Sequence, residues 1–266
     1  EMRGVARGPN RWVAVGAAGT IFASTDGKAW TTTKAPLPRG LQAVTYGGGL
    51  YVAVGQQGFI TTSPDGLTWG APKSPTDKTL MSVAYDRGRF VAVGEAGTML
   101  ASEDGQQWVA LPAKTTRTLN AVAYGNGRFV AVGAKGAAFM SPDGINDWST
   151  ALTGTEADLL TVASGNGQFV ATGLKGTLLT SGDGVRWTAA ASGTTVDLTT
   201  LTYIRGQFIA TGDQGTTLAS LDGAAWFPVA TGSSDRLNSV ATDGARLLGV
   251  GKGSATLLSD ELPDAE

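Results

Sequence analysis

The stretch LMSVAYDRGRFVAVGEAGTMLASEDGQQW, residues 80–108, decides the fold, because turn-forming residues separate its apolar runs. The first run ends at Tyr85, and the second, 89–94, is apolar almost throughout, as expected of a strand buried on both faces. A third strand is expected over 98–102, followed by an Asp-Gly turn. Trp108 then begins a fourth strand, so the segment is predicted to be a four-stranded antiparallel meander.

This segment repeats along the whole chain. The serine before the turn recurs every 39 residues except once, where the spacing is 40, at Ser24, Ser63, Ser102, Ser141, Ser181, Ser220 and Ser259. The extra residue lies in 141–148, SPDGINDW, which is one residue longer than STDGKAW at 24–30. Repeats of about 40 residues with four strands each are typical of β-propellers. We therefore predict an all-β fold, a single seven-bladed β-propeller over residues 1–266 with four-stranded antiparallel blades.

Composition excludes several function classes. The 39 glycines fit a fold with frequent turns, and the net charge of −2, without a basic run, predicts no nucleic-acid partner. No apolar stretch approaches the roughly 20 residues that span a bilayer, so no direct membrane insertion is expected. Cysteine and histidine are absent, which argues against zinc sites, thiol nucleophiles and Ser-His-Asp triads. We expect no metal and no cofactor.

The turns carry a family resemblance. STDGKAW (24–30), SPDGLTW (63–69), SEDGQQW (102–108), SGDGVRW (181–187) and SLDGAAW (220–226) resemble the Asp-box, or BNR repeat. That motif occurs in sialidases, sortilin-type receptors, some plant-cell-wall hydrolases and propeller factors that assemble photosystem II. The common box has a residue between Asp and Gly, whereas the two are adjacent here. The resemblance implies a propeller similar to the photosystem II assembly or stability factors, and more distantly to sialidase-like propellers.

The repeated box residues are interpreted as structural. Serine and aspartate can accept backbone N–H groups of the turn, glycine can take a positive φ, and tryptophan can pack between blades. The aspartates of this turn motif are Asp26, Asp65, Asp104, Asp143, Asp183 and Asp222. Its tryptophans are Trp30, Trp69, Trp108, Trp148, Trp187 and Trp226.

An enzyme would need residues that break the repeat. Sialidase-like catalysis needs a tyrosine backed by a glutamate, but Tyr46, Tyr85, Tyr124 and Tyr203 share one repeated position. A lectin would repeat an aromatic pocket, but Phe22, Phe59, Phe139 and Phe227 share no repeat position on an obvious surface. We therefore predict no catalytic residues and no enzyme. A glycan-directed protein, either a sialidase-like glycoside hydrolase or a propeller lectin, remains the alternative.

Basic residues cluster on the loops that lead into the inner strands and on those that join second to third strands. The candidate partner-binding residues are Arg39, Lys78, Arg117, Lys135, Lys175 and Arg236. One interpretation is ordinary solvated loop charge, and the other is a docking surface for an acidic protein segment. The photosystem-assembly propellers meet their client through arginines on one face. That resemblance implies a role for Arg39, Arg117 and Arg236.

The end of the chain departs from the repeat. After Ser259 it runs DELPDAE, without the glycine and tryptophan of a fourth strand, so blade seven is expected to lack its outer strand. For the edge at 256–258 three alternatives then stay open: the chain continues beyond Glu266, Pro263 and the acidic tail blunt the edge, or a partner adds a strand there. We expect blades one and seven to close the ring by packing against each other.

The location and function follow as expectations. The chain begins at Glu1 inside the first strand, and its Ser, Thr and Gly bias resembles exported bacterial proteins. We expect a periplasmic or secreted protein whose signal peptide has been removed. Its predicted function is a non-enzymatic protein-binding propeller, a scaffold or assembly subunit of an envelope or membrane protein complex.

Overall fold

A computed structural model of the protein describes residues 1–230, 236–244, 246–251 and 257–259. Within these ranges the chain forms seven antiparallel sheets, five with four strands and two with three. The inner strand of each sheet contacts the inner strand of the next, and the seventh contacts the first. The sheets are therefore the blades of a closed ring, and the predicted seven-bladed all-β propeller is confirmed.

The strands follow the repeat blade by blade. Those of blades one to three are β1 Met2–Arg7, β2 Trp12–Gly16, β3 Thr20–Ser24, β4 Thr31–Lys34, β5 Leu41–Gly47, β6 Leu50–Gly55, β7 Ile60–Ser63, β8 Leu80–Asp86, β9 Arg89–Gly94, β10 Met99–Ser102 and β11 Val109–Ala110. Those of blades four and five are β12 Leu119–Gly125, β13 Arg128–Gly133, β14 Ala138–Ser141, β15 Ser149–Thr150, β16 Leu159–Gly165, β17 Gln168–Gly173, β18 Leu178–Ser181 and β19 Thr188–Ala189. Those of blades six and seven are β20 Leu198–Ile204, β21 Gln207–Gly212, β22 Thr217–Ser220, β23 Phe227–Pro228, β24 Leu237–Thr242, β25 Leu247–Gly251 and β26 Leu257–Ser259.

The apolar core lies between blades. In β13 every residue from Phe129 to Gly133 is buried, because one face of this strand meets blade three and the other meets blade five. Each box tryptophan joins the cluster that its blade forms with the preceding blade. Trp108 of blade three, for example, lies in one cluster with Val52, Val54 and Ile60 of blade two. The tryptophans therefore pack between blades, as the repeat predicts.

Blade seven meets blade one through both apolar and polar contacts. Met2, Val5 and Trp12 share a cluster with Leu248 and Val250. The side-chain amide of Asn238 donates to the carbonyl oxygen of Met2 at 2.8 Å, and the N–H of Val5 donates to the Ser239 hydroxyl at 3.2 Å. The ring thus closes by packing of neighbouring blades, as expected, with β1 as the inner strand of blade one.

The loop between the second and third strands has a glycine with positive φ in blades one to six. In blade three, Ala96 and Gly97 both have positive φ, 54° and 71°. A Cβ on Gly97 would lie 1.9 Å from the carbonyl oxygen of Thr115, in the loop that leads into blade four. No side chain fits there, so this glycine allows the two loops to approach each other.

Blade two departs from the four-stranded prediction. Its outer strand is reduced to one bridge, in which Thr62 and Gly70 exchange backbone hydrogen bonds at 3.0 and 2.9 Å. In blade three, Leu111 continues the pairing by donating its N–H to the Met99 carbonyl. Pro72 stands at the corresponding place in blade two and has no N–H to donate, which ends the strand. The sequence prediction of a regular fourth strand is wrong for this blade.

Blade seven has three strands among the described residues, β24 to β26. The expected absence of its outer strand concerns the chain after Ser259, which lies outside the described residues. Strand addition at the edge over 256–258 depends on the same part of the chain. Both expectations stay predictions.

The inserted residue of blade four is absorbed by a change in the box turn. Asp147 adopts a positive φ of 52°, which the other boxes do not require at that place. In the five other boxes the indole N–H donates to the carbonyl of the box glycine, at 2.8–3.3 Å. The indole nitrogen of Trp148 is buried and has no hydrogen-bond partner among the described residues. The extra residue therefore costs blade four one buried hydrogen bond.

Deleting Asp147 converts SPDGINDW into SPDGINW, which has the spacing of the blade-two box. We expect the deletion to raise the free energy of unfolding by about 1 kcal/mol, because Trp148 can then donate to Gly144 and the left-handed residue is removed. Chemical denaturation followed by tryptophan fluorescence measures the change. The matched control deletes Thr68 from blade two, whose spacing is already short, and should be destabilising. A lower stability for the Asp147 deletion would contradict this explanation.

Substituting Trp108 by alanine should lower the free energy of unfolding by roughly 3–5 kcal/mol, because it empties the contact between blades two and three. The control is Phe227→Ala, since Phe227 is also a large aromatic residue, at the start of the outer strand β23, but is 63% exposed. That variant should stay within about 0.5 kcal/mol of the parent protein. Equal effects of the two substitutions in a urea denaturation series would refute the role given to the box tryptophans.

Candidate functional site

The propeller has two unlike faces. One carries the loops leading into the inner strands together with the loops joining second to third strands, and we call it the loop face. The other carries the box turns and the turns joining first to second strands, and we call it the box face. The six candidate partner-binding residues all lie on the loop face, and the six box aspartates lie on the box face.

Each box aspartate binds the backbone of its own turn. In blade three, one Asp104 carboxylate oxygen accepts the N–H groups of Gln106 and Gln107 at 2.8 and 2.7 Å. The Ser102 hydroxyl donates to the same oxygen at 3.1 Å and accepts the N–H of Gly105 at 2.8 Å. The other five boxes repeat this arrangement. The carboxylates therefore satisfy turn N–H groups.

These hydrogen bonds favour the ionised carboxylate. The N–H groups of Thr68 and Leu67 hold the pKa of Asp65 at about 2, and those of Lys28 and Ala29 do the same for Asp26. Burial raises the pKa of Asp143, but hydrogen bonds from Ile145 and Asn146 outweigh it and bring the value to about 2. The pKa values of Asp104, Asp183 and Asp222 are lowered in the same way, first by the N–H groups of Gln107, Arg186 and Ala225 respectively. A carboxylate held ionised in this way is poorly suited to act as a general acid.

The box face also contains arginines that sequence reasoning missed. The guanidinium of Arg89 donates to the Asp143 carbonyl oxygen at 2.6 Å, Arg128 donates to that of Asp183 at 2.9 Å, and Arg246 to that of Asp26 at 3.1 Å. Arg89 and Arg128 begin the second strands of their blades, Arg246 directly precedes β25, and each of the three reaches the box of the next blade. The signal was present in the sequence, as an arginine just before the second strand's first apolar residue. These arginines join blades on the box face.

Two loop-face cations have carboxylate partners. Lys78 lies 3.3 Å from the carboxylate of its neighbour Asp77, and Arg236 lies 3.2 Å from that of Asp213. Arg39 donates to the Gln57 carbonyl oxygen at 3.3 Å. These three residues lie on the loops that lead into blades three, seven and two, so the structure spreads them around the ring.

Arg117 and Lys135, in contrast, come together on blade four. The guanidinium of Arg117 donates to the Lys135 carbonyl oxygen at 2.9 Å, and both residues line one groove with Lys114. Lys175 occupies the equivalent loop of blade five and lies outside this groove. Its backbone N–H donates to Asp197, as that of Lys135 donates to Asp158. The structure thus assembles a basic site from Lys114, Arg117 and Lys135, of which the sequence analysis named two.

The central channel is lined by the inner strands of all seven blades and has a volume of about 440 Å³. Each inner strand has a β-bulge at its second residue, which faces the channel. Asn120 donates from this position to the Leu159 carbonyl oxygen at 2.8 Å, and Thr199 donates to that of Leu237 at 3.1 Å. These hydrogen bonds join neighbouring blades, so Asn120 and Thr199 help to hold the ring together.

Of the aromatic residues named for the glycan alternative, Phe22 and Phe139 occupy equivalent third-strand positions inside the ring, and Phe59 and Phe227 lie elsewhere in their blades. Phe59 and Phe139 are buried in clusters between blades, and Phe22 packs against another such cluster. The repeated tyrosines pack at tilted or edge-to-face angles against the second-strand aromatic residue of their own blades, with ring centroids 4.5–4.9 Å apart, at Tyr46, Tyr85, Tyr124 and Tyr203. Phe227 is exposed. These rings do not form a repeated surface pocket.

The described residues show no sign of a metal centre or of a membrane-spanning helix. They contain no group of three or more Asp, Glu, His or Cys side chains placed to hold a metal ion. They also include no helix with the length and apolar character needed to cross a membrane.

Comparison with known proteins supports the fold. The model of the DUF6242 beta propeller domain matches residues 37–160, and a search of curated proteins finds no match. A solved structure named YCF48 bound to D1 peptide is similar with a TM-score of 0.78 and 16% identity, over 97% of this chain and 90% of that chain. YCF48 from Cyanidioschyzon merolae gives 0.74 and 16%, over 93% and 92%. The WD40 beta propeller domain of Doa1 gives 0.74 and 13%, over 98% and 93%. At these identities the likeness shows the fold.

The box aspartates make stability depend on pH in a defined window. The pKa of Asp65 is about 2 in the folded protein against an ordinary value of 3.8, so its stabilising effect is complete above about pH 4 and is lost as pH falls towards 2. We expect the melting temperature of Asp65→Asn to lie below that of the parent protein at pH 7. The difference should shrink between pH 4 and pH 2. Circular dichroism melts at several pH values measure it, and a difference that stays constant would contradict the assignment.

Proposed function

We propose that this chain is a non-enzymatic protein-binding propeller, acting as a scaffold or assembly subunit of an envelope or membrane protein complex. The observation that carries the proposal is the charge arrangement of the loop face. Within the described chain, Lys114, Arg117 and Lys135 line one groove, and none of their side-chain nitrogens forms an ion pair with a carboxylate. Exposed, unpaired cations on a rigid surface suit an acidic protein segment.

Two further points support this proposal. The box carboxylates, the most regular acidic groups of the chain, are engaged by their own turns, which leaves them poorly placed for chemistry. One similar solved propeller is named as bound to a D1 peptide, so the fold is able to bind a peptide. The resemblance of the turns to the Asp-box also remains part of the proposal, as does a periplasmic or secreted location in a bacterium.

A cross-linking capture experiment tests this function. The bait is incubated with a bacterial envelope fraction, and its cross-linked partners are identified by mass spectrometry. The loop-face variant is Arg39→Glu with Arg117→Glu, and the matched box-face variant is Lys28→Glu with Arg186→Glu. Both variants change the net charge by the same amount, and a melting curve verifies that each is folded. We expect a partner captured by the parent and the box-face variant to be lost by the loop-face variant.

The other outcomes contradict the proposal in distinct ways. A partner held equally by all three baits would move the binding surface away from the loop face. Absence of any protein partner, together with saturable binding on a glycan array, would favour the glycan-directed alternative. Loss of a glycosidic substrate on incubation with the protein would show an enzyme.

A further inference from the structure

A groove of about 470 Å³ opens on the loop side of blade four. Its walls are the loop leading into this blade, the loop joining the blade's second and third strands, and the segment leaving β15. Buried residues of blade four, among them Phe139 and Ala151, form its floor. We call this the blade-four groove. It has a basic side, an apolar rim residue and a single acidic side chain.

The basic side is formed by Lys114, Arg117 and Lys135, which are all exposed. Arg117 uses one N–H of its guanidinium on the Lys135 carbonyl, at 2.9 Å, which fixes its position and leaves other donors available. Glu156 is the one carboxylate among the lining residues, and it makes no ion pair within the described ranges. The groove therefore has an excess of positive charge and favours an anionic ligand.

The apolar rim residue is Leu152, whose side chain is 67% exposed. Its backbone is fixed between two blades, because its N–H donates to the Val185 carbonyl at 2.7 Å and its own carbonyl accepts the N–H of Trp187 at 3.1 Å. The other five blades with a box tryptophan have lysine, proline or alanine at the place of Leu152, four residues after the tryptophan. These residues are Lys34, Lys73, Pro112, Ala191 and Ala230. An exposed leucine held on a fixed backbone is suited to contact an apolar side chain.

Hydrogen bonds between the two loops hold the walls of the groove in place. The N–H of Gly136 donates to the Ala157 carbonyl at 2.8 Å, and the Thr153 hydroxyl donates to the Gly136 carbonyl at 2.8 Å. A Cβ on Gly136 would lie 1.9 Å from the Thr155 carbonyl oxygen, so these two loops are in close contact. A ligand entering the groove would not first have to order its walls, which lowers the entropic cost of binding.

We propose that the blade-four groove binds an acidic peptide segment of the partner protein, with carboxylates on the basic side and an apolar side chain against Leu152. This inference rests on the proposed function and names its site and ligand chemistry. The peptide is favoured over a small inorganic anion because an anion on the lysines would leave Leu152 uncovered. A peptide presents charged and apolar side chains together, and the groove is lined by cations and by Leu152.

The test uses a fluorescein-labelled peptide with four glutamates followed by leucine and phenylalanine, and measures its binding to the whole protein by fluorescence anisotropy. Lys114→Gln should weaken binding roughly two- to fivefold, the range expected for one exposed ion pair. Leu152→Ser should weaken it roughly tenfold by removing the apolar contact. Glu156→Gln should strengthen it roughly two- to fivefold, because it removes the carboxylate that repels the ligand.

Matched controls separate this groove from general charge effects. Lys175→Gln changes the equivalent lysine of blade five, outside the groove, and Leu221→Ser changes an exposed leucine on the box face. Neither should alter peptide affinity. Each altered side chain is exposed, and a thermal melt establishes that the variants fold. A peptide with four lysines in place of the glutamates should not bind.

The outcomes distinguish this inference from the proposed function. Equal loss with Lys114→Gln and Lys175→Gln, or unchanged affinity in Leu152→Ser and Glu156→Gln, would overturn the groove as the site. If envelope capture still depends on Arg39 and Arg117 in that case, the proposed function stands without the groove. If the peptide binds with the predicted pattern but no envelope protein is captured, the groove stands as an acidic-peptide site and the assembly role fails.

Discussion

The second strand of each blade has to be buried on both faces, and a single blade cannot supply either cover by itself. In β13 the residues from Phe129 to Gly133 meet blade three on one side and blade five on the other. Each blade therefore needs a neighbour on both sides, and the last contact of the ring is made where Leu248 and Val250 of blade seven pack against Trp12 of blade one. The closed ring follows from it, because an open array would expose one such face at each end.

The polar contacts follow the same joints between blades. Near the loop face, Asn120 donates to the Leu159 carbonyl of the next blade, and on the box face Arg128 donates to that of Asp183. The box turns are locked internally by Asp104 and its equivalents. Arg89, Arg128, Arg246 and the box carboxylates are thus engaged in the structure of the ring, whereas Lys114 and Lys135 on the loop face are exposed to solvent. The two faces differ in what they leave available to a partner.

Much of this fold could be predicted because each part of the sequence repeat corresponds to one element of a blade. The 39-residue spacing gives the blades, the apolar run at 89–94 gives the buried strand, and the Asp-Gly pairs give the turns. Contacts between blades were harder to predict, since residues about 40–55 apart meet only in three dimensions. The Arg89 contact with Asp143 and the missing partner of Trp148 both depend on such geometry.

The candidate site shows the same limit. The sequence located the basic loops, but it could not show that Arg236 is paired with Asp213 while Arg117 and Lys135 share a groove. Lys114 was missed because it lies three residues before Arg117, away from the position used to align the loops. Leu152 was also missed, because the sequence does not distinguish an exposed leucine from a buried one.

Binding specificity in a seven-fold repeat has to come from residues that differ between blades, because equivalent residues present the same chemistry seven times. Blade four carries several such departures close together. Its box contains the inserted Asp147, and Leu152 makes a parallel bridge to Arg186, whereas the paired strands of the described chain are antiparallel. The bridge joins the outer part of blade four to blade five, and it fixes the backbone of Leu152, which lines the same groove as the three cations. The irregularity of the outer strand and the asymmetry of charge thus coincide in one place, which marks blade four as the part of the ring that a partner can distinguish from the rest.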